Sequence, residues 1–231
     1  MRTLRVLSRL LAYPDEELLS QTSALKDVVV EDGFLKAKTV KKLNKFIDDL
    51  GGSDLLDAQE TYVELFDRGR AHCLHLFEHV HGESRLRGQA MLDLSERYAE
   101  KGLHVGVGEL PDYLPVFLEF ISICEPEEGL ETLAQAAPVI ATIGEKLRRK
   151  KSGYATVFGA IVELSGAKLS QKDIDKAADA SLPNIKTLDE LDEQWQEPDA
   201  FGKFANATDC GSCDPMPLQP AQKDEQQGVT S

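Results

Sequence analysis

The stretch Arg2-Thr3-Leu4-Arg5-Val6-Leu7-Ser8-Arg9-Leu10-Leu11-Ala12-Tyr13-Pro14 sets the reading of the chain. Leu4, Leu7, Leu10 and Leu11 recur at steps of three, three and one, which places them on one face of an α-helix. The pattern stops before Pro14, whose ring disfavours helical backbone in the residue ahead of it. Pro14 then opens a second helix through Leu18, Leu19 and Leu25. The same period returns over residues 36–50 with Val40, Leu43, Ile47 and Leu50, and Gly51 and Gly52 end it.

Working outward, Ser53 is placed to cap a helix over residues 53–67 carrying Leu55, Leu56, Tyr62, Val63 and Phe66, interrupted at Gly69. Ser84 is placed to cap a helix with Leu86, Ala90, Leu94 and Tyr98, ending near Gly102. Pro111 and Pro115 bracket the first turn of a helix over residues 112–124, where a missing amide costs little. Apolar helices follow over 128–150, bent at Pro138, and over 152–166. No stretch alternates β-branched residues as a strand would. The expected fold is all-α, a single helical-bundle domain of eight to nine helices over residues 1–166.

Past that point the composition changes. From Ser165 onward there are 13 acidic and 6 basic residues, and 189–199 holds six carboxylates around the lone Trp195. Residues 167–231 therefore read as an acidic, partly disordered tail with one or two weak helices.

Across 231 residues, 40 acidic side chains against 26 basic ones give a formal net charge of −14. Such a chain is unsuited to holding nucleic acid through phosphate neutralisation and favours basic partners. No uncharged run approaches the roughly 18 residues of a bilayer-spanning helix. The N-terminus alternates Arg with apolar residues, unlike a signal peptide, so a cytoplasmic location without stable membrane insertion is expected.

Four of the five histidines lie in Arg70-Ala71-His72-Cys73-Leu74-His75-Leu76-Phe77-Glu78-His79-Val80-His81-Gly82-Glu83. On one helix, His72, His75 and His79 would fall within about 60° of each other and could ligate a metal with Glu78 or Glu83. The alternative is that Cys73, Leu76, Phe77 and Val80 form a buried stripe edged by the histidines. On either reading these are the side chains that change charge near neutrality, so a pH-dependent interface is expected. Cys210-Gly-Ser-Cys213 has the spacing of a redox or metal pair but sits in a Pro-rich tail and lacks two further ligands. Phosphate loops, the nucleophile elbow and zinc-deaminase arrays are missing, so an enzyme is not supported.

Three motifs then stand in order: Gln-Glu-Thr-Tyr62-Val-Glu-Leu65-Phe66 followed by Asp-Arg68-Gly-Arg; His-Leu-Phe-Glu-His79-Val-His-Gly82-Glu83-Ser84-Arg85-Leu-Arg87-Gly; and Glu-Leu-Pro111-Asp112-Tyr113-Leu-Pro-Val-Phe117. With the N-terminal Arg-Leu-Leu-Ala-Tyr-Pro-Asp, they resemble the NarJ-type chaperones, assembly factors of respiratory nitrate reductase. These fall within the all-α redox-enzyme maturation proteins that include TorD and DmsD. The resemblance covers residues 9–165; the tail matches loosely.

It implies a cytoplasmic chaperone and not an enzyme. Such a protein binds the N-terminal segment of the apo catalytic (α) subunit and promotes insertion of the molybdenum cofactor and an Fe–S cluster. It leaves before the finished complex works at the membrane, holds no stably bound cofactor, and has molybdenum cofactor biosynthesis proteins as candidate further partners. Tyr62, Leu65 and Phe66, then His79, Gly82, Glu83, Ser84 and Arg87, then Pro111, Asp112 and Tyr113 fall on the family's motifs.

An amphipathic helix laid in an apolar groove is a sufficient physical mode. Leu65, Phe66, Leu114 and Phe117 are candidate walls, with core the favoured reading for each taken singly. Glu64, Asp67, Glu83, Asp112 and Glu119 are candidate rim charges that would speed encounter with a basic peptide. Arg68, Arg70, Arg85 and Arg87 flank the histidines, including His75, and would either meet an anionic group of the partner or of a cofactor, or pair with Asp67, Glu78 and Glu83.

Overall fold

The computed structural model describes residues 1–81, 86–106 and 108–180. Helix α1 (Arg2–Leu11) forms where the leucine period predicts, and its apolar face is buried. Its first turn is closed from a distance. Asp32, at the end of α3, accepts from the Thr3 amide at 2.6 Å and the Thr3 hydroxyl at 2.9 Å. Burial opposes ionisation of this carboxyl, but the Thr3 donors and Arg2 outweigh it and hold its pKa below the ordinary carboxylate value.

The apolar period through Leu18, Leu19 and Leu25 divides into α2 (Glu16–Ser20) and α3 (Thr22–Asp32), because the chain turns at Gln21. Asp15 caps α2 through the Leu18 amide at 2.8 Å and pairs with Arg9, joining both ends of the Arg-Leu-Leu-Ala-Tyr-Pro-Asp motif. Gly33 ends α3 at φ 68°, a left-handed conformation that strains residues with a Cβ. Helix α4 (Ala37–Gly51) follows. The next cap is Asp54, which accepts from the Leu56 amide at 2.9 Å, whereas Ser53 donates back to Leu50. The expected Ser53 cap is thus displaced by one residue, since the shorter hydroxyl is captured by the carbonyl behind it.

Helix α5 (Leu55–Tyr62) runs into a π-helical turn (Val63–Asp67), and a 3₁₀ turn (Arg70–His72) leads to α6 (Leu76–His81) and α7 (Leu86–Glu100). Helices α8 (Leu114–Ile123), α9 (Pro126–Arg149), α10 (Ala155–Ser165) and α11 (Gln171–Ala180) complete the described chain. The all-α expectation holds. The helices outnumber the expected eight to nine because short turns at Gln21 and after Tyr62 split apolar runs that periodicity alone joins.

Helix α9 packs along α10, and α1 against α8. A Cβ on Gly144 would lie 2.8 Å from the Phe158 Cβ, so the α9–α10 contact depends on the missing side chain. Pro138 lies inside α9, where Thr142 donates to its carbonyl at 2.8 Å. Helix α11 falls in the segment read as tail; it packs on α9, where Arg149 pairs with Asp179 at 2.5 Å and Ala178 is buried. Trp195, Cys210 and Cys213 lie outside the described residues. Among the described residues, no helix is long and apolar enough to cross a membrane.

Candidate partner-binding site

The segment containing four of the histidines is not one helix. His72 sits in the 3₁₀ turn, His75 in extended backbone, and His79 and His81 on α6. The helix is delayed because residues 74–76 pair antiparallel with 112–114. The Leu76 amide donates to the Asp112 carbonyl at 3.0 Å and the Leu114 amide to the Leu74 carbonyl at 2.9 Å. This bridge brings the second and third motifs together.

Asp112 fastens the junction. Its side chain is 0% exposed; one carboxylate oxygen accepts from the Phe77 amide at 3.0 Å, in the first turn of α6, and the other faces His75 Nδ1 at 3.1 Å. A carboxylate only accepts, so Nδ1 carries the proton. The expected rim charge at Asp112 is therefore corrected: the residue is an interior cap. Glu64, Asp67 and Glu119 are exposed.

The first motif meets the same junction. Tyr62 Oη donates to the Leu11 carbonyl at 2.9 Å and lies 3.0 Å from Tyr113 Oη, so Tyr113 donates to Tyr62. Burial raises both phenol pKa values, keeping them neutral. The π turn, closed by the Arg68 amide on the Val63 carbonyl at 3.0 Å, keeps Leu65 and Phe66 inward while Glu64 and Asp67 face out. Phe66 packs on Tyr62 with ring centres 4.9 Å apart and edge-on to Tyr154 at 5.0 Å.

Tyr13, Tyr62, Phe66, Asp67, Cys73, Leu74, His75 and Tyr113 enclose a cavity of about 410 Å³. Sequence reading had overlooked Tyr13 as a site residue although it lies in the N-terminal motif. It is 48% exposed and stands perpendicular to Tyr62 at 5.5 Å.

Other expected residues fall elsewhere. Phe117, 5% exposed, and Leu114 lie in the core. Of the two readings open for these residues the core one holds, and neither walls a surface groove, because the apolar face of α8 turns inward against α1. Pro111 presents its carbonyl to the Tyr98 hydroxyl at 2.7 Å. Arg68 is exposed, and Arg87 approaches Glu78 at 3.5 Å. Glu83 and Arg85, with Gly82 and Ser84, lie outside the described residues.

The histidine expectations also change. His79 Nε2 donates to the Cys73 carbonyl at 2.8 Å, and burial lowers its pKa. Burial, with Lys150 and Lys146 nearby, pushes His72 down to about 4. Neither is a switch at neutral pH. Among the described residues, no group of three or more His, Cys, Asp or Glu is placed to hold a metal ion. The metal-binding alternative through His72, His75 and His79 thus loses its geometry, since the three do not share a helix. Val80, read as part of a buried stripe, is 56% exposed.

The described residues thus form a helical protein whose first and third motifs and the start of the second converge on a small aromatic cavity with Asp67 on its wall. The chain belongs to the nitrate reductase delta subunit family, whose model matches residues 35–160. It is 40% identical over 212 residues to the nitrate reductase molybdenum cofactor assembly chaperone NarJ of Escherichia coli K12, covering 91% of this chain and 88% of that protein. It is 36% identical over 229 residues to the probable chaperone NarW of the same strain, covering 99% and 94%. To the probable NarJ of Bacillus subtilis it is 29% identical over 160 residues, covering 69% and 86%.

Proposed function

We propose that this chain is a cytoplasmic assembly chaperone of respiratory nitrate reductase. It binds the N-terminal segment of the apo α subunit, keeps that subunit receptive to the molybdenum cofactor and an Fe–S cluster, and departs before membrane assembly. It catalyses no reaction, and cofactor is handled through the partner and through biosynthesis proteins that dock on the complex. The observation that carries this reading is the near full-length similarity to a protein named for that role.

The cavity at the motif junction is the receiving site. Its size of about 410 Å³ suits a few side chains of a bound segment, and its aromatic lining suits apolar ones. Asp67 on its wall and the nearby exposed Glu64 attract basic residues, which raises the association rate more than the affinity. Phe66 lines the cavity from the core side, while Leu65 and Phe117 are buried in the core. His75 also lines it, and Arg68, His79 and Arg87 stand on the segments just beyond the first motif.

Calorimetric titration with a synthetic N-terminal peptide of the cognate α subunit, at several salt concentrations, tests this. Saturable binding that weakens with salt is expected. Absence of heat and of competition at every condition would overturn it.

A further inference from the structure

A second cavity lies away from the motif junction. About 610 Å³ in volume, it is lined from the 3₁₀ turn by Arg70 and Ala71, from α6 by Glu78 and His79, from α9 by Pro138, Val139, Thr142 and Lys146, and from α11 by Ala177. Lys146 is its unusual member. The side chain belongs to a residue only 5% exposed, and its ammonium donates to the Ala71 carbonyl at 2.9 Å. No described carboxylate forms an ion pair with it, and burial alone lowers its pKa. An ammonium has three donors, so one carbonyl leaves most of its capacity unused.

A buried cation without an anion is costly to retain. The Lys146 charge also disfavours protonation of His72 and His79 beside it. The carboxylate on the wall, Glu78, is engaged by Arg87. The volume is that of a small-molecule site, and Pro138, Val139 and Ala177 give it an apolar side.

We infer that this cavity between α6, α9 and α11 binds a small phosphate-bearing molecule, with Lys146 as the buried contact to its oxyanion. A phosphate dianion supplies the missing negative charge and several acceptors, which a single carboxylate supplies less well. The site is separate from the cavity of the Tyr62–Tyr113 junction, so the inference does not depend on peptide binding there.

The test is titration of the full chain with inorganic phosphate and pyrophosphate, with acetate as the carboxylate arm. It is followed through the imidazole nitrogen resonances of His79 and His72 and through thermal unfolding. Expected are saturable shifts at His79 and a rise in melting temperature with the phosphates, both weaker with acetate. Lys146→Met should weaken phosphate binding by about tenfold or more, the loss of a charge-assisted contact. Without phosphate the variant should be as stable as the parent or more so, because it removes a buried lone charge. Stronger shifts with acetate would reassign the site to carboxylates and overturn the phosphate reading. Absence of saturable shifts in the parent, or unchanged phosphate binding in Lys146→Met, would overturn the site. The parent titration decides the question even if that variant does not fold.

Discussion

Asp112 shows what one residue can decide here. Its carboxylate satisfies an amide at the start of α6 and orients His75, in a position with no access to water. Asp112→Asn keeps the shape but loses the charge and one acceptor. The expected cost is about 2–4 kcal/mol, read from denaturant midpoints.

The buried phenols make a contrasting pair. Tyr62→Phe removes donation to the Leu11 carbonyl and should cost about 1 kcal/mol. Tyr154 Oη is buried with no partner among the described residues, so Tyr154→Phe should be neutral or stabilising by up to about 1 kcal/mol in the same assay.

His72 gives a pH prediction. Its folded pKa of about 4 lies below the ordinary 6.5, so the unfolded chain binds the proton more readily between these values. Stability is complete above pH 6.5 and falls as pH drops toward 4, by at most about 3 kcal/mol from this residue. His72→Gln should flatten that limb of a stability-against-pH curve. An unchanged limb would show that His72 does not carry it.

At the scale of elements, the α9–α10 contact and the π turn matter most. Gly144→Ala would drive a Cβ against Phe158 and should destabilise by about 1–3 kcal/mol, with the shift visible in thermal unfolding. The π turn brings Phe66 against Tyr62 and Tyr154 in one aromatic cluster and leaves Asp67 at the cavity wall. Tyr13→Ala, at the half-exposed edge of that cavity, should weaken the α-subunit peptide in calorimetry by about tenfold while leaving unfolding nearly unchanged. Equal affinity would remove Tyr13 from the site.

The elements were legible because apolar residues repeated with a helical period, as in α1, α4 and α8. Their divisions were not. The extended residues 74–76 arise from pairing with 112–114, far along the chain, while the turn at Gln21 and the π turn are closed by local hydrogen bonds that the apolar period does not mark.

For the molecule as a whole, the net charge of −14 divides about equally between the helical part and the residues from Ser165 onward. The share near Glu64 and Asp67 is the part suited to attract a basic segment, so the association rate of that peptide should fall as salt shortens the Debye length to about 8 Å at physiological strength. Stopped-flow rates at two salt concentrations check this.

The sequence by itself determined the all-helical class, the order of the motifs and the family, since these depend on periodicity and on runs of residues that can be read in line. Tertiary structure alone decided that Asp112 is an interior cap, that Phe117 is core, that the histidines do not form one stripe, and that Lys146 is buried without an anion. Each of these depends on which distant backbone excludes water from a side chain or offers it a partner, and neither is written in the residues beside it.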